Sequence, residues 1–118
     1  MTLVAGMSAK LLDELLKKLR FNIEDVIKSD LSEVILYGSY ARGDFDEESD
    51  IDIAVIVDSS RELLRKYHKG LVEIMSNASL EYDVVVNISR IPLKDFEEYK
   101  EVLPYYRNID SEGVRIVA

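Results

Sequence analysis

Over residues 11–27 the apolar side chains fall at Leu12, Leu15, Leu16, Leu19, Ile23, Val26 and Ile27, the three-and-four spacing of one face of a helix. Ser8 stands where a capping hydroxyl is needed. The pattern changes at Glu33. The run Glu33-Val34-Ile35-Leu36-Tyr37 is short, rich in strand formers and closed by Gly38, while residues 51–57 (Ile-Asp-Ile-Ala-Val-Ile-Val) become apolar on both sides. These predict two strands, the second central. The helical stripe returns over 61–78 at Leu63, Leu64, Tyr67, Leu71, Ile74, Met75 and Ala78, and residues 81–88 (Glu-Tyr-Asp-Val-Val-Val-Asn-Ile) read as a third strand. Pro92 and Pro104 stand where short helices can begin, Gly113 where the last can end, and residues 114–117 close the chain as a fourth strand. Such alternation puts the chain in the mixed α/β (α+β) class, without repeats, low-complexity tracts or linkers.

A length of 118 residues predicts one domain spanning 1–118. Fifteen Lys and Arg against twenty-three Asp and Glu leave a net charge of −8, so the field of the whole molecule repels phosphate backbones and argues against broad nucleic-acid binding. With no cysteine and one histidine, His68, thiol chemistry, thiolate zinc sites and histidine-pair chemistry are excluded. Carboxylates and hydroxyls remain. Met1 to Ala9 holds too few large apolar residues for a signal core or a membrane span, so the expectation is a cytoplasmic protein without membrane attachment.

The segment Tyr37-Gly38-Ser39-Tyr40-Ala41-Arg42-Gly43 followed by Ser49-Asp50-Ile51-Asp52 joins the first two predicted strands. Gly38 permits a sharp turn and a close backbone approach, and Ser39 then opens a helical turn whose free amides suit an anion such as a phosphate. Asp50 and Asp52, two residues apart on extended backbone, emerge on one side about 7 Å apart at the backbone. Two carboxylates beside a phosphate site repel it unless a hard cation lies between, and Mg²⁺ held by carboxylates together with substrate phosphates removes the conflict. The combination implies a metal-bound nucleoside triphosphate. A third carboxylate would help hold a second metal about 3.5–4 Å from the first. Asp83, on the third predicted strand, is the candidate, with Glu81, of the same parity, as the fallback.

In the form Gly-Ser-x-Ala-Arg-Gly followed by Ser-Asp-Ile-Asp, this segment resembles the minimal nucleotidyltransferases of the DNA polymerase β superfamily. The likeness extends over most of the chain, through the leading helix, the acidic strand around Asp83 and the Tyr105-Tyr106-Arg107-Asn108-Ile109 tail. It implies the nucleotidyltransferase fold, a small mixed sheet with helices packed on one face. Relatives in this family include the antitoxin half of HEPN–MNT toxin–antitoxin pairs, which transfer AMP from ATP to a tyrosine of the HEPN ribonuclease. By that resemblance Gly38 and Ser39 bind the triphosphate, Asp50 and Asp52 hold the metals of a two-Mg²⁺ site, and Asp83 completes the metal site and activates the acceptor hydroxyl. The antibiotic-modifying members carry a further domain for the acceptor. Nothing follows residue 118 here, so the expected acceptor lies on a docked HEPN-type protein, in a homo- or hetero-oligomer that the sequence does not specify.

Other features have plainer readings. Arg42 either touches a phosphate or is a helix-end charge. Asp44, Asp46, Glu47 and Glu48 imitate a calcium loop, but Ser49 replaces its glycine and Val55 its closing glutamate. Tyr105 and Tyr106 lack a basic cluster and read as packing or a partner contact, and His68 as a surface residue. The alternative to catalysis is a nucleotide-binding antitoxin that neutralises its partner by occlusion.

Overall fold

The computed structural model describes residues 7–117. The Ser8 hydroxyl accepts the Leu11 amide and opens α1 (Ala9–Ile27), whose Leu15, Leu19, Ile23 and Ile27 point inward along the sequence stripe. A tight turn leads into β1 (Leu31–Tyr37). The one-turn helix α2 (Ser39–Arg42) and a loop then return the chain antiparallel as β2 (Ile51–Val57). The next strand, β3 (Val86–Pro92), runs parallel to β2. A parallel neighbour requires a crossover, supplied here by a helical turn over 63–67 and by α3 (His68–Tyr82). Two short helices follow, α4 (Leu93–Tyr99) directly after Pro92 and α5 (Pro104–Glu112) starting on its proline, before β4 (Val114–Val117) pairs antiparallel with β1. The sheet order is β3-β2-β1-β4.

Strand alternation divides the core in two. Val34, Leu36, Ile51, Ile53, Val55 and Val57 face α1 and α3, which supply Leu15, Leu19, Ile23, Leu71 and Ile74. Ile35, Ala54, Ile56 and Ile91 face the other way, onto Phe96 of α4 and Ile109 of α5. The two long helices share one face, but the short pair covers the opposite one, so the helices are not confined to one face as the resemblance implied: Ile35, Ala54 and Ile56 make the second face apolar too, and it needs a cover. Ile53 to Val57 are buried on both sides, which is why β2 lacks the polar alternation of a half-exposed strand.

The third strand departs from the sequence reading. Residues 81–85 do not belong to it: α3 continues to Tyr82, Asp83 caps it with φ 52° and ψ 49°, and β3 starts at Val86. The cause is burial. Leu71, Ile74, Ala78 and Tyr82 form one continuous helical stripe, and Tyr82 is sunk against the core with its hydroxyl donating to Glu14 at 2.8 Å. Packing of the Tyr82 ring on α1 outweighs the strand preference of the valines that follow. Among the described residues no helix is long and apolar enough to cross a membrane.

Candidate active site

The ends of β1, β2 and β3 bring three polar side chains into one row. Tyr37 is the register partner of Asp52 across the antiparallel pair, and Asp52 is the partner of Asn87 across the parallel pair. Alternation along β2 puts Asp52 on the same face as Ala54 and Ile56, the face covered by α4 and α5.

The turn after β1 is built around two glycines with positive φ, Gly38 at 77° and Gly43 at 85°. Gly38 combines this with ψ −157°, a region that residues with a Cβ hardly enter. Its carbonyl accepts the amides of Ala41 and Arg42, both at 3.1 Å, which closes the single turn of α2. Tyr40 fixes that turn to the core: its ring is buried, stacks on Phe45 at 4.1 Å and 12°, and its hydroxyl accepts the Met7 amide. The acidic loop that follows is ordered by its own side chains. The Ser49 hydroxyl accepts the Asp46 amide at 2.9 Å, and the Asp46 carboxylate accepts the Glu48 amide at 2.9 Å. The Ile51 amide donates to the Val85 carbonyl at 2.8 Å, so the loop delivers Asp50 beside the start of β3.

Asp50 and Asp52 converge as their spacing predicts. The Asn87 side-chain nitrogen lies 3.2 Å from an Asp50 carboxylate oxygen and 3.3 Å from one of Asp52. On the other side, Asp52 Oδ2 presses on Gly38: a Cβ built there would sit 2.6 Å from it. The half-buried Asp52 carboxyl is pushed above the ordinary carboxylate range, mainly by burial and further by the charge of Asp50, while the Asn87 amide and the Arg42 charge oppose the shift. The turn and the acid pair are therefore one site, in contact through Gly38.

A family comparison decides what this site belongs to. The sequence profile of the family described as "Nucleotidyltransferase domain" matches residues 12–117. The chain belongs to the nucleotidyltransferase family. A relative from Methanocaldococcus jannaschii, named "Putative protein adenylyltransferase", is 40% identical over 74 residues, covering 63% of this chain and 73% of that protein. A toxin–antitoxin crystal structure with AMP-PNP has the same fold, at TM-score 0.58 and 18% identity over 86% of this chain and 73% of that one. So does the structure of a tri-AMPylated Shewanella oneidensis HEPN toxin in complex with its MNT antitoxin, at TM-score 0.56 and 17% identity over 90% and 71%. This nucleotidyltransferase carries the glycine–serine turn and the paired aspartates at the junction where its two central strands meet.

The remaining expected residues are distributed differently. Asp83, at the end of α3, lines an open cleft of about 340 Å³ with Ser79, Glu48 and Asp50. Glu81 is turned away, its carboxylate held by Lys18 of α1 at 2.5 Å. Neither joins the row beside Asp52, because the strand begins at Val86, five residues later than the sequence suggests. Among the described residues no three Asp, Glu, His or Cys side chains gather to hold a metal ion. Asp50 and Asp52 nevertheless fit a hard divalent cation: they are oxygen donors brought within reach of one small group, and Mg²⁺ takes one or two carboxylates with the rest of its shell from water and phosphate. Arg42 is engaged by carboxylates, with Asp44 at 3.3 Å and Glu112 of α5 at 3.4 Å.

Sequence reasoning missed Asn87, and the signal was present: it has the parity of Asp83, two strand repeats further along, and is the polar interruption in an otherwise apolar run. It also missed a hydroxyl cluster beside the site. Tyr37 and Tyr105 hydroxyls are 2.9 Å apart, and Tyr105 donates to Ser89 on β3 at 3.3 Å. Burial, and then the bond to Tyr105, push the Tyr37 phenol well above the usual tyrosine range. Tyr106 packs on Phe96 with ring centroids 6.0 Å apart, the packing role expected of it, while Tyr105 stays half exposed.

Proposed function

We propose that this nucleotidyltransferase binds ATP with its triphosphate at Gly38 and Ser39 and a Mg²⁺ ion on Asp50 and Asp52, and transfers AMP to a tyrosine hydroxyl of a HEPN-type toxin, acting as its antitoxin. The observation that carries this reading is the contact between Asp52 and Gly38, which makes the phosphate turn and the cation ligands one site. A bound Mg²⁺ would supply charge neutralisation at the transferring phosphate and its leaving group. Gly38, lacking a side chain, lets the phosphates approach the backbone, and the Ser39 turn offers amides to them. Asp50 and Asp52 would hold the cation, and the Asp52 carboxylate, whose affinity for a proton is raised by burial, would take the proton of the acceptor hydroxyl as its oxygen bonds to the α-phosphorus. The α–β bridging bond breaks and pyrophosphate leaves. The HEPN partner is supported by the fold shared with the HEPN-bound antitoxin and by the relative named as a protein adenylyltransferase.

Incubation with α-labelled ATP, Mg²⁺ and a HEPN-type toxin that forms a complex with this chain should label the toxin, and Asp52→Asn should abolish the label. Labelling that survives the substitution removes this mechanism. Asn87, standing where a third carboxylate would complete the site, favours a second reading, neutralisation by occlusion alone. On that reading the Asp50→Asn, Asp52→Asn double variant still neutralises the toxin. Loss of neutralisation with the complex intact excludes it.

A further inference from the structure

The row Tyr37, Asp52, Asn87 sets what the site can hold. A third carboxylate shares a cation with Asp52 most directly from a neighbouring strand at the same level and on the same face, where residues stand within about 5.5 Å of each other at the backbone. On the β1 side that place is Tyr37, whose hydroxyl is occupied by Tyr105. On the β3 side it is Asn87. Asn87 is not a bystander, since its one NH₂ group is 3.2 Å from Asp50 and 3.3 Å from Asp52 and has a hydrogen for each carboxylate. Two carboxylates drawn this close repel each other, and a neutral double donor between them offsets the repulsion without adding a third negative charge.

We infer that Asn87 is a positioning residue that takes the place of a third carboxylate: it bridges Asp50 and Asp52, aims both at one point, and limits the nucleotide-free site to a single divalent cation. A second cation then enters only with the phosphates of the nucleotide, as their ligand more than the protein's. Partners of this kind, which orient ligating carboxylates through hydrogen bonds, change metal affinity about 10- to 100-fold when removed. The inference rests on the reading of Asp50 and Asp52 as cation ligands.

The test is a titration of the full chain, without nucleotide, with Mn²⁺, following free Mn²⁺ by electron paramagnetic resonance. The wild-type chain should bind one Mn²⁺. Asn87→Asp should bind two, a change in stoichiometry that a merely structural residue would not produce, and Asn87→Ala should bind one about tenfold more weakly. Two ions on the wild-type chain, none at all, or one ion at unchanged affinity in Asn87→Asp would each overturn the inference. Should Asn87→Asp not fold by circular dichroism, Asn87→Ala decides, with unchanged Mn²⁺ affinity in a folded chain as the contrary result. Asp52→Asn separates the two claims: if it leaves Mn²⁺ binding intact, the assignment of the acid pair as cation ligands is what fails.

Discussion

Asp52 Oδ2 rests against the backbone of Gly38 at a separation that leaves no room for a Cβ, which would lie 2.6 Å away. This contact ties together two sequence features fourteen residues apart. Gly38 is needed twice over, once for φ 77° with ψ −157° and once for the carboxylate that occupies the space a side chain would take. The antiparallel pairing of Tyr37 with Asp52 forces the two into register, so neither can shift without disturbing the hairpin.

Gly38→Ala should therefore be damaging in two measurable ways. The backbone strain alone is worth about 1–3 kcal/mol, read as a lower denaturation midpoint. If ATP and Mg²⁺ bind at this site, they should raise the melting temperature of the wild-type chain, since ligand bound to the native state stabilises it, and displacement of Asp52 should abolish that rise. A Gly38→Ala variant that keeps this rise contradicts the shared site.

Removing the Asp52 charge should stabilise the fold while abolishing transfer. The folded-state pKa of Asp52 is raised, chiefly by burial, so its contribution is fully present below the unfolded-state value and is lost as pH rises through the folded value. At neutral pH the ionised carboxylate is a net burden. Asp52→Asn should melt above wild type at pH 7, by no more than about 4 °C because the group is half exposed and partly screened. The difference should shrink as pH falls into and below the carboxylate range. A constant difference across pH 3–8, from differential scanning fluorimetry, would refute the assignment.

Most of the fold is legible in the sequence because its signals are periodic and local. The α1 stripe with its Ser8 cap, the apolar run of β2 and the proline starts of α4 and α5 each correspond to an element found in the structure. The Gly38 turn and the Asp50–Asp52 pair are equally legible, since a glycine and a spacing of two dictate their geometry. What was not legible depends on distant contacts. The end of α3 is set by Tyr82 reaching Glu14, a contact 68 residues apart in sequence, and that burial displaces β3 and exchanges Asp83 for Asn87 beside Asp52. Likewise, nothing local announces that Tyr105 reaches Tyr37, or that Arg42 reaches Glu112.

The α4–α5 layer supports the site from behind, and Phe96 is its anchor. Phe96 is 1% exposed, packs on Tyr106 and shares a cluster with Ile35, Ala54, Ile56 and Ile109. Phe96→Ala should cost about 3–5 kcal/mol in urea unfolding, the range for a fully buried aromatic. Phe96→Leu, which keeps most of the volume, should cost clearly less. Equal losses in the two variants would mean that the site face is not held by this packing.

Arg42 offers the sharpest separation of a structural from a ligand role. Its two ion pairs, to Asp44 and Glu112, are solvent-exposed, and such pairs contribute at most about 1 kcal/mol, so Arg42→Ala should barely change the melting temperature without nucleotide. If the guanidinium instead moves onto the triphosphate when ATP binds, the loss of a charge-assisted bond of about 1.5–3 kcal/mol weakens ATP·Mg²⁺ binding about 10- to 100-fold. Arg42→Lys should recover only part of that, because an ammonium cannot reproduce a two-pronged contact. Glu112→Gln, which releases Arg42 from α5, should leave ATP binding as tight as wild type or tighter. Calorimetric titration of the three variants with ATP and Mg²⁺ checks the set, and unchanged affinity in Arg42→Ala would confine this arginine to joining α2 and α5.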